Sequence, residues 1–441
     1  MPEISYKTQL THKKIKKSKR QKLLIMSYKI GIIGTGRVAN KVIEGIGDSI
    51  EDGVKIESVY IIGRGDIKEK VRSGIEEFER VVLSSVEVGL EGFFKYVPKE
   101  GMEVVFKECD FVFVCVGKPF GYRSAKIPIE ERLKQEEEAL RKGLVSEEEY
   151  QFALDIFNKL CGITEEYRTL IWTPYTFQII RDIGIACSEV DPEKEQFIFI
   201  YSNPIDVQVE IFRRFAGIPE APYLRDGKNN RYVLGVNQID SLRVRELFFR
   251  GLNNQEKKEL LRYELQHPFC VGCHCSKVVV IPPWFRGEMG VGDIRIVARI
   301  FEKIRNIYNI DWTNMNQIRG FLSKWAQDIR EQLGERELPK IIRPVTSHLL
   351  RFFVNNERGV VSLSMPLEVS ELERIFRCRT SIDNKEEIVA IGIGVNSSLE
   401  EVVKTIPRRI KLGLAGEISR NIEEVYRVIG ILKEYMPQKP A

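Results

Sequence analysis

A glycine turn between a short apolar strand and a helix-forming stretch is the feature that most restricts the fold of this chain. The strand is 28-YKIGII-33, the turn is 34-GTGRVA-39, and 40-NKVIEGIGDSI-50 has helical spacing. Glycine at the first turn position permits a tight turn, glycine at the second lets the backbone approach a pyrophosphate, and a small third residue lets the helix pack on the strand. In this context the pattern predicts a dinucleotide-binding βαβ unit, with the phosphates at the helix N-terminus.

The residue that follows the second strand bears on which dinucleotide is bound. That strand is expected at 54-VKIESVYII-62, and an acid just after it would accept a hydrogen bond from the ribose 2′-hydroxyl and select NAD. Gly63 stands there instead, and Arg64 follows. A guanidinium without a carboxylate suits a 2′-phosphate, so the sequence favours NADP; ribose recognition by Asp66 is the alternative. The residues expected to line the dinucleotide, NAD or NADP, are Gly34, Gly36, Arg37, Val38, Arg64, Gly117 and Asn203.

Strands and helices alternate along the first half of the chain. Apolar runs such as 111-FVFVCVG-117 and 197-FIFIYSNP-204 predict buried strands, and helix-forming stretches lie between them. The alternation predicts an α/β fold, a Rossmann-type doubly wound parallel sheet followed by an α+β catalytic domain. The expected bounds are 1–26 for a basic tail, 27–238 for the dinucleotide-binding domain with a helical insertion at about 124–166, and 239–441 for the substrate domain.

The charge of the chain is concentrated in its first residues. Residues 1–25 hold eight Lys or Arg and one acid, whereas the formal net charge of the whole chain is only +5, so the folded body is slightly acidic and no nucleic-acid partner is expected for it. The tail is expected to be disordered or to precede a start at Met26, with a nuclear address or nucleic-acid arm as the alternative. No apolar run approaches the roughly 18 residues of a spanning helix, and eight irregularly spaced cysteines favour a reducing, cytoplasmic setting over a disulfide framework.

Three later segments carry polar residues in an order that narrows the function. They are 202-SNPID-206, 240-DSLR-243 and 272-GCHCS-276. Together with the preceding glycine turn they resemble the lactate/malate dehydrogenase family, which shows Ser-Asn-Pro-Val-Asp, Leu-Asp-Ser-Ala-Arg and Gly-Glu-His-Gly-Asp in this order. The stretch 343-RPVTSHLLRFFVNNERGVVSLSMPL-367 also resembles a late helix and strand of that family. The resemblance implies a divergent oxidoreductase that transfers a hydride between NAD(P) and a malate- or lactate-like 2-hydroxy or 2-oxo acid.

The chemistry of 2-oxo acid reduction gives these residues roles. A histidine is the side chain suited to donate a proton to the carbonyl oxygen near neutral pH, and His274 is the candidate. A carboxylate, here Asp240, would hold its tautomer, and a guanidinium, here Arg243, would clamp the substrate carboxylate bidentately. Asp240 and Arg243 are three residues apart and would share one helix face. The resemblance assigns the same roles to these positions, and it assigns contacts with substrate and nicotinamide to Asn203.

The expected substrate loop departs from the family pattern. It begins at 117-GKPFGYRSAK-126, a charged insertion follows to about residue 166, and the pattern resumes at 167-YRTLIWTPYTFQII-180. Arg123 and Arg168 both fit the role of polarising the substrate carbonyl, and Arg168 has the better spacing to the following helix. The insertion is expected to be helical, and either to cap the site or to bind a partner.

The residues around His274 leave other functions open. Cys273 and Cys275 replace the family's Glu and Gly, and 270-CVGCHC-275 could suggest zinc, but no second Cys pair exists, so no metal is expected. NAD-dependent glycosidases, which share this fold and hold a metal through Cys and His, are one alternative, although 240-DSLR-243 does not suit them. A dinucleotide-binding family member without turnover is the other. By resemblance the expected assembly is a homodimer or homotetramer, and no membrane partner is expected.

Overall fold

A computed structural model of the chain describes most of its first half and several separate segments of its second half. The described residues are 27–85, 91–117, 129–143, 145–164, 167–191, 195–218, 230–242, 252–257, 269–271, 279–281, 341–355, 360–368, 388–395 and 425–437, with the isolated positions 299, 302, 303, 306, 373, 374 and 423. The basic tail therefore lies outside the described residues.

Six parallel strands form the central part of one sheet. They are β1 (Tyr28–Ile33), β2 (Ile56–Gly63), β3 (Phe94–Pro98), β4 (Phe111–Val114), β5 (Gln196–Ile200) and β6 (Arg231–Gly235). Their spatial order is β3-β2-β1-β4-β5-β6, and every neighbouring pair is parallel. Two three-stranded halves that run outward from β1 and β4 make the doubly wound Rossmann arrangement, so the predicted fold class is confirmed.

Helices cover both faces of this sheet. They are α1 (Arg37–Glu51), α2 (Ile67–Lys70), α3 (Arg72–Ser85), α4 (Glu103–Glu108), α5 (Ile129–Arg141), α6 (Glu147–Cys161), α7 (Tyr167–Ser188) and α8 (Ile205–Phe215). One apolar core joins the sheet to α1, α3 and a helix at 341–354, and a second joins it to α4, α6, α7, α8 and a helix at 425–432. None of the helices in the described part of the chain is both long and apolar enough to cross a bilayer.

The sheet continues into the C-terminal part of the chain. β9 (Val360–Glu368) lies beside β6 in antiparallel orientation, and β10 (Ile388–Val395) pairs antiparallel with β9 at the sheet edge. A separate antiparallel pair is formed by β7 (Phe269–Val271) and β8 (Val279–Ile281). Strands from both sides of the predicted boundary at residue 238 therefore belong to one sheet.

The insertion expected at 124–166 contributes to the core. α6 starts with a reciprocal cap between Ser146 and Glu149, and Ile156, Phe157 and Leu160 are buried against α7. At its C-terminal end, Lys159 donates to Glu434 at 2.8 Å. α6 is therefore packed into the fold as an integral helix, although its flanks belong to the expected substrate loop.

A charge network holds the helix at 341–354 against α1 and α3. Arg343 donates from Nε and Nη2 to both oxygens of Asp48, at 2.7 and 2.6 Å, and from Nη1 to Glu77 at 2.6 Å. Glu77 also accepts two hydrogen bonds from Arg80. Hydrogen bonds from Arg80 and then from Arg343 lower the pKa of Glu77 from 4.5 to about 2.

We expect Glu77→Gln to destabilise the protein by about 1 kcal/mol at neutral pH, because the side chain remains but its charge is lost. A carboxylate with a lowered folded-state pKa contributes stability above its unfolded pKa and loses it on acidification. The difference from wild type should therefore shrink as the pH falls from about 4.5 to about 2. Urea unfolding across this range measures it, with the exposed Glu76→Gln as control. A difference that is constant with pH would show that Glu77 contributes through packing and not through charge.

Candidate functional site

The carboxyl ends of β1 and β4 meet where the strand order reverses. Gly34 directly follows β1 and Cys115 directly follows β4, and the Cys115 N–H donates to the Ile33 carbonyl at 2.8 Å. In open α/β sheets, ligands bind in the crevice outside the strand ends at such a reversal. The residues predicted to line the dinucleotide all follow the carboxyl ends of β1, β2, β4 or β5, and their contacts with a ligand stay predictions.

The glycine turn leaves the start of α1 open. Gly34 has a φ of +122°, and a Cβ there would lie 2.7 Å from the Cys115 carbonyl oxygen, so only glycine fits. Gly36 is the N-cap of α1, and a Cβ at this position would meet nothing within 4 Å. No side chain caps the helix, and its first turn holds no acidic residue. In the described part of the chain, the first N–H groups at the positive dipole end of α1 are therefore left without a side-chain cap.

This geometry fits the pyrophosphate of a dinucleotide. An anion at the start of α1 would accept hydrogen bonds from N–H groups that no side-chain cap satisfies. Gly36 presents no side chain that would keep the anion from the backbone. Arg37 is exposed at the first helical position and adds a cation beside this N-terminus, whereas Val38 is half-buried and packs against the core. Val38 thus anchors the turn to the core, and Arg37 adds a positive charge on its exposed side.

The loop after β2 faces the expected adenosine end of the crevice. Arg64 is exposed, and its carbonyl accepts a hydrogen bond from Lys70 Nζ at 2.6 Å. Asp66 Oδ1 accepts from the Glu69 N–H at 3.0 Å and caps α2. The capping bond engages one oxygen of this carboxylate, and the choice between Arg64 and Asp66 as the reader of the ribose stays a prediction.

The loops after β4 and β5 are joined by a side-chain hydrogen bond. Ser202 Oγ donates to the Val116 carbonyl at 2.6 Å. Asn203 follows, and the peptide bond to the next residue is cis. Gln208 Nε2 lies 3.4 Å from the Asn203 carbonyl and donates to Thr176 Oγ1 at 2.6 Å, which ties this loop to α7. Asn203 Oδ1 is buried and has no hydrogen-bond partner in the described part of the chain, so a donor from a ligand would satisfy it.

Two titratable side chains, Cys115 and Tyr201, are buried next to the ends of β4 and β5. Burial raises the pKa of the Cys115 thiol far above its usual value, so the group stays protonated and is not a nucleophile. Burial likewise raises the pKa of Tyr201, whose hydroxyl shares a hydrogen bond of 2.9 Å with Thr346 Oγ1. Thr346 belongs to the helix at 341–354, so the C-terminal part of the chain fixes the end of β5 next to Asn203.

Asp240 lies in a helical turn at 238–242, just after β6. Its side chain is buried, and its backbone N–H donates to the Asn237 carbonyl at 2.9 Å. Gln238 Oε1 accepts from the Ser362 N–H in β9 at 2.8 Å, and Asn237 Nδ2 lies 3.4 Å from Asp206 Oδ1 at the start of α8. The turn that carries Asp240 is therefore fixed to β9 and α8 at the carboxyl edge of the sheet.

The structure locates the other predicted catalytic residues only in part. Arg168 lies in the first turn of α7, where its side chain is not described. His274 belongs to the connection between β7 and β8, Arg243 follows the turn at 238–242, and Arg123 precedes α5; all three lie outside the described residues. The contact between Asp240 and His274 therefore stays a prediction.

The metal alternative falls on the same connection. Cys270 lies in β7, whereas Cys273 and Cys275 lie outside the described residues. Within the described ranges, no group of three or more His, Cys, Asp or Glu side chains could hold a metal ion. Cys109, Cys115, Cys161 and Cys187 are free thiols.

Sequence reasoning missed the residues that support the site. Ser202 belongs to the motif 202-SNPID-206 without a predicted role of its own, and Gln208 and Asn237 lie outside the predicted site residues. The available signal was polarity at buried positions, because Gln208 and Asn237 are both fully buried. Buried amides need hydrogen-bond partners, so a glutamine among the apolar residues of α8 predicts a polar contact.

Comparisons by sequence and by structure differ. No family model matches the chain, and no curated protein does. A lactate dehydrogenase from a Medee basin deep-sea metagenome library superimposes with a TM-score of 0.52 at 12% identity, over 93% of this chain and 100% of that one. The minor L-lactate dehydrogenase of Enterococcus mundtii superimposes with a TM-score of 0.50 at 14% identity, over 92% of this chain and 98% of that one. The malate dehydrogenase of Naegleria fowleri superimposes with a TM-score of 0.48 at 13% identity, over 92% of this chain and 99% of that one. The chain thus has the fold of the lactate dehydrogenases.

Proposed function

We propose that the protein is an NAD(P)-dependent oxidoreductase that transfers a hydride between the dinucleotide and a malate- or lactate-like 2-hydroxy or 2-oxo acid. The proposal rests on one edge of the sheet. The uncapped N-terminus of α1, the unsatisfied Asn203 oxygen and the Asp240 turn follow the carboxyl ends of β1, β5 and β6 at this edge. The fold shared with lactate dehydrogenases supports it.

The chain's own residues would hold the dinucleotide along this edge. Gly34, Gly36 and the start of α1 would bind the pyrophosphate, and Arg37 would add a cation there. Gly117 and Asn203, after β4 and β5, would border the nicotinamide. When bound, the nicotinamide supplies or accepts the hydride.

The remaining steps belong to side chains that face the substrate. We assign the proton of the new hydroxyl group to His274, which donates it to the carbonyl oxygen during reduction and removes it during oxidation. Asp240 would hold the imidazole tautomer, and Arg243 would clamp the substrate carboxylate. Arg168 or Arg123 would polarise the carbonyl. The packing of the Asp240 turn supports this assignment, because a fixed carboxylate is what orients a proton donor.

One assay separates this function from its alternatives. Purified protein is given oxaloacetate or pyruvate with NADH or NADPH, with and without a chelator, and oxidation of the reduced dinucleotide is followed by absorbance. Turnover that the chelator leaves unchanged is the expected result. Dinucleotide binding in a parallel fluorescence titration, without turnover, would favour a binding protein. In a parallel reaction with a phosphorylated glycoside, cleavage that is lost with chelator would favour the glycosidase alternative.

The preference between dinucleotides is a second part of the proposal. We infer that Arg64 contacts a 2′-phosphate and that NADP is preferred, since β2 ends in Gly63 and not in an acid. Arg64→Ala should weaken NADPH binding by roughly ten- to a hundredfold and change NADH binding by less than about twofold, the loss expected for one charge-assisted contact. Fluorescence titration measures both, with Arg72→Ala as control. Equal losses for both dinucleotides would remove Arg64 from the discrimination.

A further inference from the structure

The end of β2 has no room for a side chain at the position where a ribose-reading acid would stand. A Cβ at Gly63 would collide with the γ-methyl of Thr35, which belongs to the glycine turn. Thr35 Oγ1 and Ile67 Cγ1 would each lie 3.4 Å from it, close to ordinary contact, so the γ-methyl of Thr35 is the group that obstructs a side chain here. A side chain at residue 63 therefore requires Thr35 to leave its observed rotamer.

Two cations take positions on the loop that follows. Lys70 reaches back from the end of α2 and donates to the Arg64 carbonyl at 2.6 Å, over the turn that Gly65 makes with a φ of +67°. This bond uses one of the three N–H donors of the ammonium group. Lys70 and Arg64 are both exposed, and neither pairs with a carboxylate in the described part of the chain. The Lys70 ammonium group is thus held beside the backbone of Arg64, so both cations belong to the same loop.

The nearby carboxylates are occupied elsewhere. Asp66 caps α2 through the Glu69 N–H, and the Glu69 carboxylate pairs with Arg72. Each of these carboxylates therefore already has a partner, and Gly63 supplies no further carboxylate at the end of β2. A dianionic phosphate is the group that two unneutralised cations would bind best.

We propose that Lys70, together with Arg64, binds the 2′-phosphate of the dinucleotide, and that Thr35 excludes the carboxylate that would select NAD. The inference rests on the proposed dinucleotide binding and adds the residues that read its adenosine end. Lys70 stabilises the loop through the Arg64 carbonyl and keeps two N–H donors for the phosphate. Thr35 sets specificity by shape, because it occupies the space beside Gly63.

Direct binding tests the role of Lys70. Lys70→Met should weaken NADPH binding about tenfold and leave NADH binding within about twofold, as expected for loss of one charge-assisted contact. Lys68→Met, which removes the same charge from the same short helix, should change neither. Adenosine 2′,5′-bisphosphate should compete with NADPH, and inorganic phosphate at equal concentration should not. A Lys70→Met effect on NADH equal to that on NADPH, or competition by inorganic phosphate alone, would overturn the assignment.

A double-mutant cycle tests the role of Thr35. Gly63→Ala alone should lower the melting temperature because of the collision, and Thr35→Ser should rescue it because the γ-methyl is gone. Thr35→Ser/Gly63→Asp should then shift the ratio of NADH to NADPH affinity at least about tenfold toward NADH, since a carboxylate near a 2′-phosphate repels it. A Gly63→Ala protein as stable as wild type, or an unchanged ratio in the double variant, would refute the exclusion.

Binding of NADH and NADPH by the wild-type protein tests the proposed function separately from the 2′-phosphate site. Wild-type protein that binds neither dinucleotide would overturn the proposed function itself. Protein that binds NADH alone, or both dinucleotides equally, would leave that function standing and would overturn the 2′-phosphate site.

Discussion

Replacing His274 by alanine is expected to lower kcat for 2-oxo acid reduction by about two to four powers of ten, the usual contribution of a positioned acid or base. His274 lies in the connection between β7 and β8, and Asp240 lies in a turn fixed to β9 and α8. Alanine leaves no donor for the carbonyl oxygen, while the glycine turn is unchanged. Dinucleotide affinity should therefore barely change. Steady-state kinetics and fluorescence titration measure the two quantities.

A second histidine in the same part of the chain provides the control. His267→Ala makes the same chemical change seven positions earlier and should retain turnover. Asp240→Asn should also lower kcat, and combining it with His274→Ala should add little, because the two groups act as a unit. Full turnover in the His274→Ala variant would remove the histidine from the mechanism. Loss of a bound metal on this substitution would instead favour the Cys-rich segment as a metal site.

The sequence predicted the parts of the fold whose signals are local. The glycine turn and the apolar runs of β1, β4 and β5 were placed correctly, because buried parallel strands read as continuous hydrophobic segments. β3 was missed because it is a short edge strand, FKYVP, in which three of the five residues are exposed. β10 was missed because glycines interrupt its pattern. α7 begins at Tyr167 and continues through Pro174, although a proline in a helix interior usually kinks or breaks the helix.

Contacts between distant segments gave no sequence signal. Arg231, at the start of β6, donates to the Cys187 carbonyl near the end of α7 at 2.8 Å and to Gln196 at 3.1 Å. A hydrogen bond from a buried arginine to the last turn of a distant helix cannot be predicted from the sequence, because it forms only when the strands lie next to each other. The same holds for the site: the motif residues Asn203 and Asp240 could be named from the sequence, whereas the hydrogen bonds that hold their loops could not.

A buried ion cluster in α8 gives the largest expected effect on stability. Glu210 accepts from Arg213 Nε at 3.1 Å and Nη2 at 3.0 Å, and from Arg214 Nε at 2.6 Å. The side chains are almost fully buried, with 0%, 1% and 4% exposed. Burial alone would raise the pKa of Glu210, but the two guanidinium groups outweigh it and lower the pKa. Glu210 is therefore ionised in the folded protein at neutral pH.

Glu210→Ala should destabilise the protein by about 3–5 kcal/mol, because it leaves two buried guanidinium groups without their counter-charge. The loss affects Arg214 most, since its Nη2 already has no hydrogen-bond partner among the described residues. Urea unfolding at neutral pH measures the change, and the exposed Glu76→Ala in α3 is the matched control. A loss below about 1 kcal/mol, typical of a surface ion pair, would show that the cluster is hydrated in solution.

Replacing the whole cluster should have the opposite outcome. Glu210→Leu/Arg213→Met/Arg214→Met removes all three charges and keeps similar volume, and such replacements are commonly neutral or stabilising. The Ile218 carbonyl loses its donor, Arg213 Nη1 at 3.0 Å, which costs about 1 kcal/mol, so we expect stability near that of wild type. α8 begins just after Asn203 and Pro204, so its position fixes the loop that carries Asn203. A triple variant in which α8 keeps its position should therefore also keep dinucleotide affinity. If it unfolds as readily as Glu210→Ala, the ion cluster specifies the position of α8 and apolar packing there is not sufficient.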